Sequence, residues 1–248
     1  MRKRLLYLFL LTDVFIALTF SFVYRVQIKE WVLNFFKEPV PQAVDYKSAK
    51  TNEKIAIPEE INLQVPFQPQ APTADWGEPY QEACEEASII MAVAYLEGES
   101  ILTAGQMDEK ILSMVDWQQE NWGGHYDLNA EQNKKLVEEY FTNRYSVETT
   151  KNFTWDDVKK SLAQGYPVIV PAAGRQIGNP YYTQPGPLYH MLLIKGYTDK
   201  KIITNDPGTK RGADYQYNYD SLYNAIHDWN EGDVDNGGKV MLVIKPNN

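Results

Sequence analysis

The chain is poor in the residues from which many sites are built. Cys84 is the one cysteine among 248 residues, which excludes an intrachain disulfide framework whatever the compartment. Three histidines occur, His125, His190 and His227. None has a second histidine or a cysteine at i+3 or i+4, and no H-E-x-x-H run is present, so neither a metal nor any other cofactor is expected. Asp127-x-Asn129-x-Glu131 and Asp233-x-Asp235 look like pieces of calcium loops but lack the central glycine and closing glutamate at EF-hand spacing. Both read as solvated loops. Positive charge is scarce as well. The 33 acidic and 24 basic side chains leave a net charge of −9, and no basic stripe is visible. Phosphate backbones need clustered Lys and Arg, so nucleic acid is excluded as a partner. Internal repeats and long low-complexity tracts are also missing. Hydrophobic residues at 44% and aromatic residues at 13% are what a folded core requires.

Long apolar runs are confined to the N-terminus. Arg2-Lys3-Arg4 precedes the largely apolar stretch Leu5 to Tyr24, long enough to span a bilayer. The flanking charge predicts a cytoplasmic N-terminus, with everything after Tyr24 outside. Asp13 opposes insertion by about 2.5–3.5 kcal/mol, which the surrounding Leu, Phe, Val and Ile outweigh. No small-x-small site follows, so residues 1–25 read as an uncleaved signal anchor rather than a cleaved signal peptide. The expectation is a single-pass plasma-membrane protein. Residues 26–60 are expected to hold a juxtamembrane helix, with Ile28, Trp31, Val32 and Phe35 on one face. A polar tether from Glu38 to Glu60 would follow it.

The folded domain is expected over 61–248. Asn62 to Phe67 alternates as a short strand. Apolar residues at Ala83, Ala87, Ile90, Met91 and Ala94 give a helix ending before Gly98. Further helices are expected at Met107–Val115 and Ala130–Phe141, with a loop over Trp117–Asp127. Another begins at Thr154 and stops at Gly165. Pro167–Pro171, His190–Tyr197, Lys201–Asn205 and Lys239–Ile244 read as strands, and Tyr219–Trp229 as a helix. Helices first and a mainly antiparallel sheet afterwards is the α+β pattern.

Cys84 falls in the first turn of its helix, after Pro79. Unpaired N–H groups and the helix dipole there favour a thiolate. Glu82, Glu85 and Glu86 would oppose it if they faced the sulfur, and a cysteine in this stripe can equally be core filling. Downstream, His190 and Asp206 flank the turn Thr198–Lys200 almost symmetrically. A hairpin centred on Thr198 would set them opposite each other on one face. An imidazole held by a carboxylate is a competent base for a thiol.

Leu63 to Gln70, then Trp76, then Ala83-Cys84-Glu85-Glu86-Ala87-Ser88 resembles the start of the bacteriocin-processing-type cysteine peptidases, the double-glycine-leader peptidase-like, papain-fold family. His190 opening an apolar strand and Asn205-Asp206-Pro207-Gly208 resemble that family's His and Asp motifs. The resemblance implies a papain-like α+β fold and a peptide or protein substrate. It implies Cys84 as nucleophile, His190 as general base and Asp206 as its orienting partner. It also implies a glutamine that binds the oxyanion with the cysteine's own N–H. The papain-like place, six residues ahead of the cysteine, is Glu78 here. Gln81 is the first candidate instead and Gln68 the second. Glu85 stands where many relatives have glycine. A surface module that keeps this fold but only binds peptide or wall polymer is the alternative function.

Overall fold

In the computed structural model of the protein, the described residues are 24, 25, 27, 28, 31, 32, 37–45 and 56–247. The chain divides into two compact units, Met1–Pro39 and Val40–Asn248. In the first, Ile28, Trp31 and Val32 are helical and exposed; Phe35 lies outside the described residues.

The second unit holds five described helices and eight described strands. The strands are β1 (Ala43–Val44), β2 (Ile61–Leu63), β3 (Tyr145–Lys151), β4 (Val168–Ala173), β5 (Tyr189–Tyr197), β6 (Lys201–Asn205), β7 (Tyr215–Asn218) and β8 (Val240–Pro246). They form one sheet in the order β1-β2-β5-β4-β8-β3, with β6 also on β5 and β7 on β6. Only the β1–β2 pairing is parallel. The helices are α1 (Cys84–Leu96), α2 (Ala104–Trp122), α3 (Ala130–Tyr140), α4 (Trp155–Ala163) and α5 (Tyr219–Ala225). The architecture is α+β with a mainly antiparallel sheet.

β5 is the centre of the core, buried at all nine positions, which is why His190-Met-Leu-Leu-Ile reads as an apolar run. α1 packs on it and is buried at all thirteen of its own positions, as a helix apolar round most of its circumference should be. Ser88, one turn beyond Cys84, donates to the Met191 carbonyl of β5 at 3.3 Å. That bond sets the start of α1 beside His190.

Several elements depart from the sequence expectation, each for a local reason. α1 starts at Cys84, preceded by a single 3₁₀ turn at Tyr80–Glu82. α2 runs through the expected loop as far as Trp122: Gln118 is buried and donates to Glu86 Oε1 at 2.6 Å, and Gly123 at φ 79° stops the helix. β3 was not anticipated, because an edge strand that pairs only with β8 buries just Tyr145 and Val147. α5 ends at Ala225 rather than Trp229 because Ile226 turns extended and bridges Ala172. β1 pairs with β2 through Ala43↔Asn62 and Val44↔Leu63, so part of the expected tether belongs to the sheet.

The membrane placement expected from the sequence is overturned. Among the described residues no helix is long and apolar enough to cross a membrane. α1 is apolar but has 13 residues, a length of about 20 Å against a hydrocarbon core of about 30 Å. α2 has 19 residues but carries five charged side chains. Leu5 to Val23 lie outside the described residues.

The β5–β6 hairpin is displaced from the Thr198-centred register. Leu193 pairs with Asn205 and Ile194 with Thr204; after a bulge at Lys195, Gly196 pairs with Ile203. Extended outward, this register sets Leu192 opposite Asp206. A two-residue offset keeps His190 on the same face, since side chains alternate with period two. Gly196 also lets β2 approach β5, because a Cβ there would stand 2.2 Å from the Ile61 carbonyl oxygen. Gly196→Ala should therefore push β2 off and cost about 1–3 kcal/mol. A lowered urea midpoint would be the sign; an unchanged midpoint would refute the close approach.

Candidate active site

His190 enters from the first half of β5 and Asp206 follows β6 directly. His190 Nε2 lies 2.8 Å from Asp206 Oδ1, and both residues are buried. The same oxygen accepts from the Gly208 N–H at 3.0 Å. Oδ2 accepts from Asn179 Nδ2 at 2.9 Å, Tyr182 OH at 2.7 Å and Tyr217 OH at 2.5 Å. Burial alone would push the Asp206 carboxyl up. The His190 charge and the bonds from His190, Tyr217 and Tyr182 outweigh it, and the carboxyl is held down at about 2. An ionised carboxylate only accepts, so Nε2 carries the proton in this pair. In neutral His190 the lone pair is then on Nδ1, the nitrogen free to act as a base.

Cys84 opens α1 and borders the same cavity as His190, a volume of about 630 Å³. The thiol does not point at the imidazole for its hydrogen bond. Sγ donates to Glu85 Oε2 at 2.9 Å, while Glu85 Oε1 accepts from the Leu128 N–H at 2.9 Å. Burial pushes the Cys84 thiol well up, and the Glu85 charge and hydrogen bond, with Asp127 and Glu86, push the same way. Glu85 is itself pushed well up by burial and by Glu86 and Asp127. The helix-terminus argument for a lowered thiol is therefore outweighed here by desolvation and by a carboxylate that does face the sulfur. Glu86, also buried, accepts from Gln118 and stands 3.3 Å from His125 Nε2. His227, the remaining histidine, places Nδ1 at 2.9 Å from the Gly237 carbonyl.

Gln81 reaches the cavity rim with an exposed side chain whose amide donates to Glu82 Oε1 at 3.0 Å. The Gln68 amide donates to the Leu102 carbonyl at 2.8 Å, and Gln68 does not line the cavity. Sequence reasoning missed Gln70. It is buried against the cavity, its Nε2 donates to the Tyr80 and Gln81 carbonyls, and its N–H donates to the Pro207 carbonyl. It thus ties the segment ahead of Cys84 to the Asp206-Pro207-Gly208 turn. Its place in the Leu63–Gln70 stretch was the available signal. Asn179 and Tyr217 were missed too; Tyr182, readable from the sequence as either a groove-lining or a packing aromatic, borders the cavity, and nothing in the spacing of the three links them to Asp206.

A family model, the Peptidase_C39 like family, matches residues 62–232. The chain belongs to that family. It is thereby a cysteine-type peptidase. A solved C39-like peptidase from Bacillus anthracis shares the fold at 15% identity and a TM-score of 0.50, covering 77% of this chain and 100% of that one. A double glycine motif protease of an AMS/PCAT transporter, solved with its leader peptide, is 18% identical over 66% of this chain and 84% of its own, with a TM-score of 0.35. Xylellain, a cysteine protease from Xylella fastidiosa, is 16% identical over 84% and 95%, at 0.39. No curated protein matches.

Asp206 gives this C39-like domain a measurable acid signature. A carboxyl lowered from 3.8 to about 2 stabilises the fold fully above pH ~4 and loses that contribution as pH falls through about 2. The difference corresponds to roughly 2 kcal/mol. Asp206→Asn should lose about that much at pH 7 and flatten the unfolding profile between pH 4 and pH 2. A variant as stable as the parent across this window would contradict the buried, charged pair.

Proposed function

We propose that this C39-like protein hydrolyses peptide bonds through Cys84 as nucleophile, His190 as general base and Asp206 as the group that orients it. One observation carries the reading: Cys84 and His190 border one cavity, and His190 is locked through Nε2 onto an ionised Asp206. The thiol starts on Glu85 and turns about its Cα–Cβ bond toward His190. Nδ1 takes the thiol proton, and the sulfur attacks the peptide carbonyl. The Cys84 backbone N–H, in the first turn of α1, binds the developing oxyanion. Gln81 is the second donor, released from Glu82 by rotation of its exposed side chain. Nδ1–H then protonates the departing amine and leaves a thioester. Water attacks the thioester, gives its proton to Nδ1, and the thiol returns.

The peptide-binding module without catalysis draws on the same Cys84–Glu85 bond, since a thiol kept protonated by a neighbouring carboxylate is a poor nucleophile. Hydrolysis of an unbiased peptide mixture separates the two. Cys84→Ala should abolish cleavage and His190→Ala should lower kcat by about 10²–10⁴-fold. Gln81→Ala should lower kcat by about 10²–10³-fold with little change in KM. Cleavage that persists in Cys84→Ala would end the peptidase mechanism.

A further inference from the structure

The cavity bordered by Cys84 and His190 adjoins a second cavity of opposite charge. Near the cysteine the wall of the first carries Glu82 and Asp127 and no lysine or arginine. Gln70, 4% exposed, also borders this cavity, and its buried Oε1 has no hydrogen-bond partner while its Nε2 is engaged. Asp127 is half-buried. Burial and the Glu82 charge, opposed by His125, push its carboxyl up to about 6, the behaviour of an acid short of cationic neighbours. The second cavity, of about 360 Å³, shares Trp76, Thr183 and Gly208 with the first. It is lined by Lys210 and Arg211 and by no carboxylate. The Arg211 guanidinium lies over the Tyr181 ring, 4.8 Å from its centre. The junction is at the reacting group, since a Cβ on Gly208 would stand 2.9 Å from His190 Cε1.

Resting on the peptidase reading of this site, we propose that the substrate is a peptide of ordered charge. A cationic side chain is held by Glu82 and Asp127 beside Cys84. An acidic side chain on the other side of the scissile bond is held by Lys210 and Arg211. Charge-assisted hydrogen bonds at the half-buried end give affinity. The opposed signs reject a peptide laid in the wrong direction, because each charge would then meet its like.

Two blocked, dye-labelled hexapeptides of one composition provide the test: a lysine and a glutamate separated by four alanines, in either order. Binding is measured by fluorescence anisotropy on the full chain carrying Cys84→Ala, and hydrolysis on the unaltered chain. One order should bind at least tenfold more tightly and be cut at least tenfold faster than the other. The ratio should fall below threefold in Glu82→Gln/Asp127→Asn and, independently, in Lys210→Gln/Arg211→Gln. Equal binding of the two orders, or binding of neither, would overturn the proposal even if both were cleaved. Ordered binding with no hydrolysis by the unaltered chain would uphold it and sink the peptidase reading instead.

Discussion

The carboxylate of Asp206 is the point on which the site depends. A charge taken fully out of water is very costly unless it is paired and its lone pairs are filled. Here one imidazole, one backbone N–H, one amide and two phenols converge on two oxygens. The partners come from β5, β7, the turn after β6 and the loop between β4 and β5, so the local fold has to be complete for the charge to be tolerated. In return, the carboxylate leaves His190 one orientation and one tautomer. Gly208 belongs to the same constraint, since any side chain there would drive into the imidazole and into Tyr182.

Two acceptors of different kinds stand near the thiol's cavity, and only Glu85 is in contact with the sulfur. Glu85 holds it in the resting geometry, within a buried acidic group that disfavours further negative charge. His190 offers an acceptor whose positive form is stabilised by Asp206. The chemistry proposed for this peptidase is a transfer from the first to the second. That transfer leaves a thiolate beside Glu85, Asp127 and Glu86, whose charges oppose it, so the imidazolium held by Asp206 has to offset the crowding. Glu85 therefore fixes where the Cys84 thiol rests.

Much of this was legible in the chain. The Cys84 helix, the His190 strand and the Asp206 turn each announce themselves through apolar spacing and a terminal Pro or Gly. The Thr154 cap is in place, with Asp157 completing the capping box of α4. The hairpin brought His190 and Asp206 together even though a bulge at Lys195 moved the register, because an offset of two residues preserves the face. What stayed hidden depends on distant partners. Asn179, Tyr182 and Tyr217 meet Asp206 only through tertiary packing, and Gln70 reaches the site by crossing to Pro207. β3 was missed because an edge strand with a polar outer face has weak periodicity. The direction of Glu85 was undecidable too, since helical spacing alone does not say which acid of Glu82, Glu85 and Glu86 turns to the sulfur.

The most direct measurement is the rate at which iodoacetamide alkylates Cys84 between pH 5 and pH 9, in the unaltered full chain and in His190→Ala. If His190 takes the thiol proton, the unaltered chain should react at least tenfold faster near pH 7. The variant should gain speed only as the pH climbs past the ordinary thiol range of about 8.5. Identical profiles for the two chains would show a thiol that answers to Glu85 alone, and would contradict the catalytic pairing.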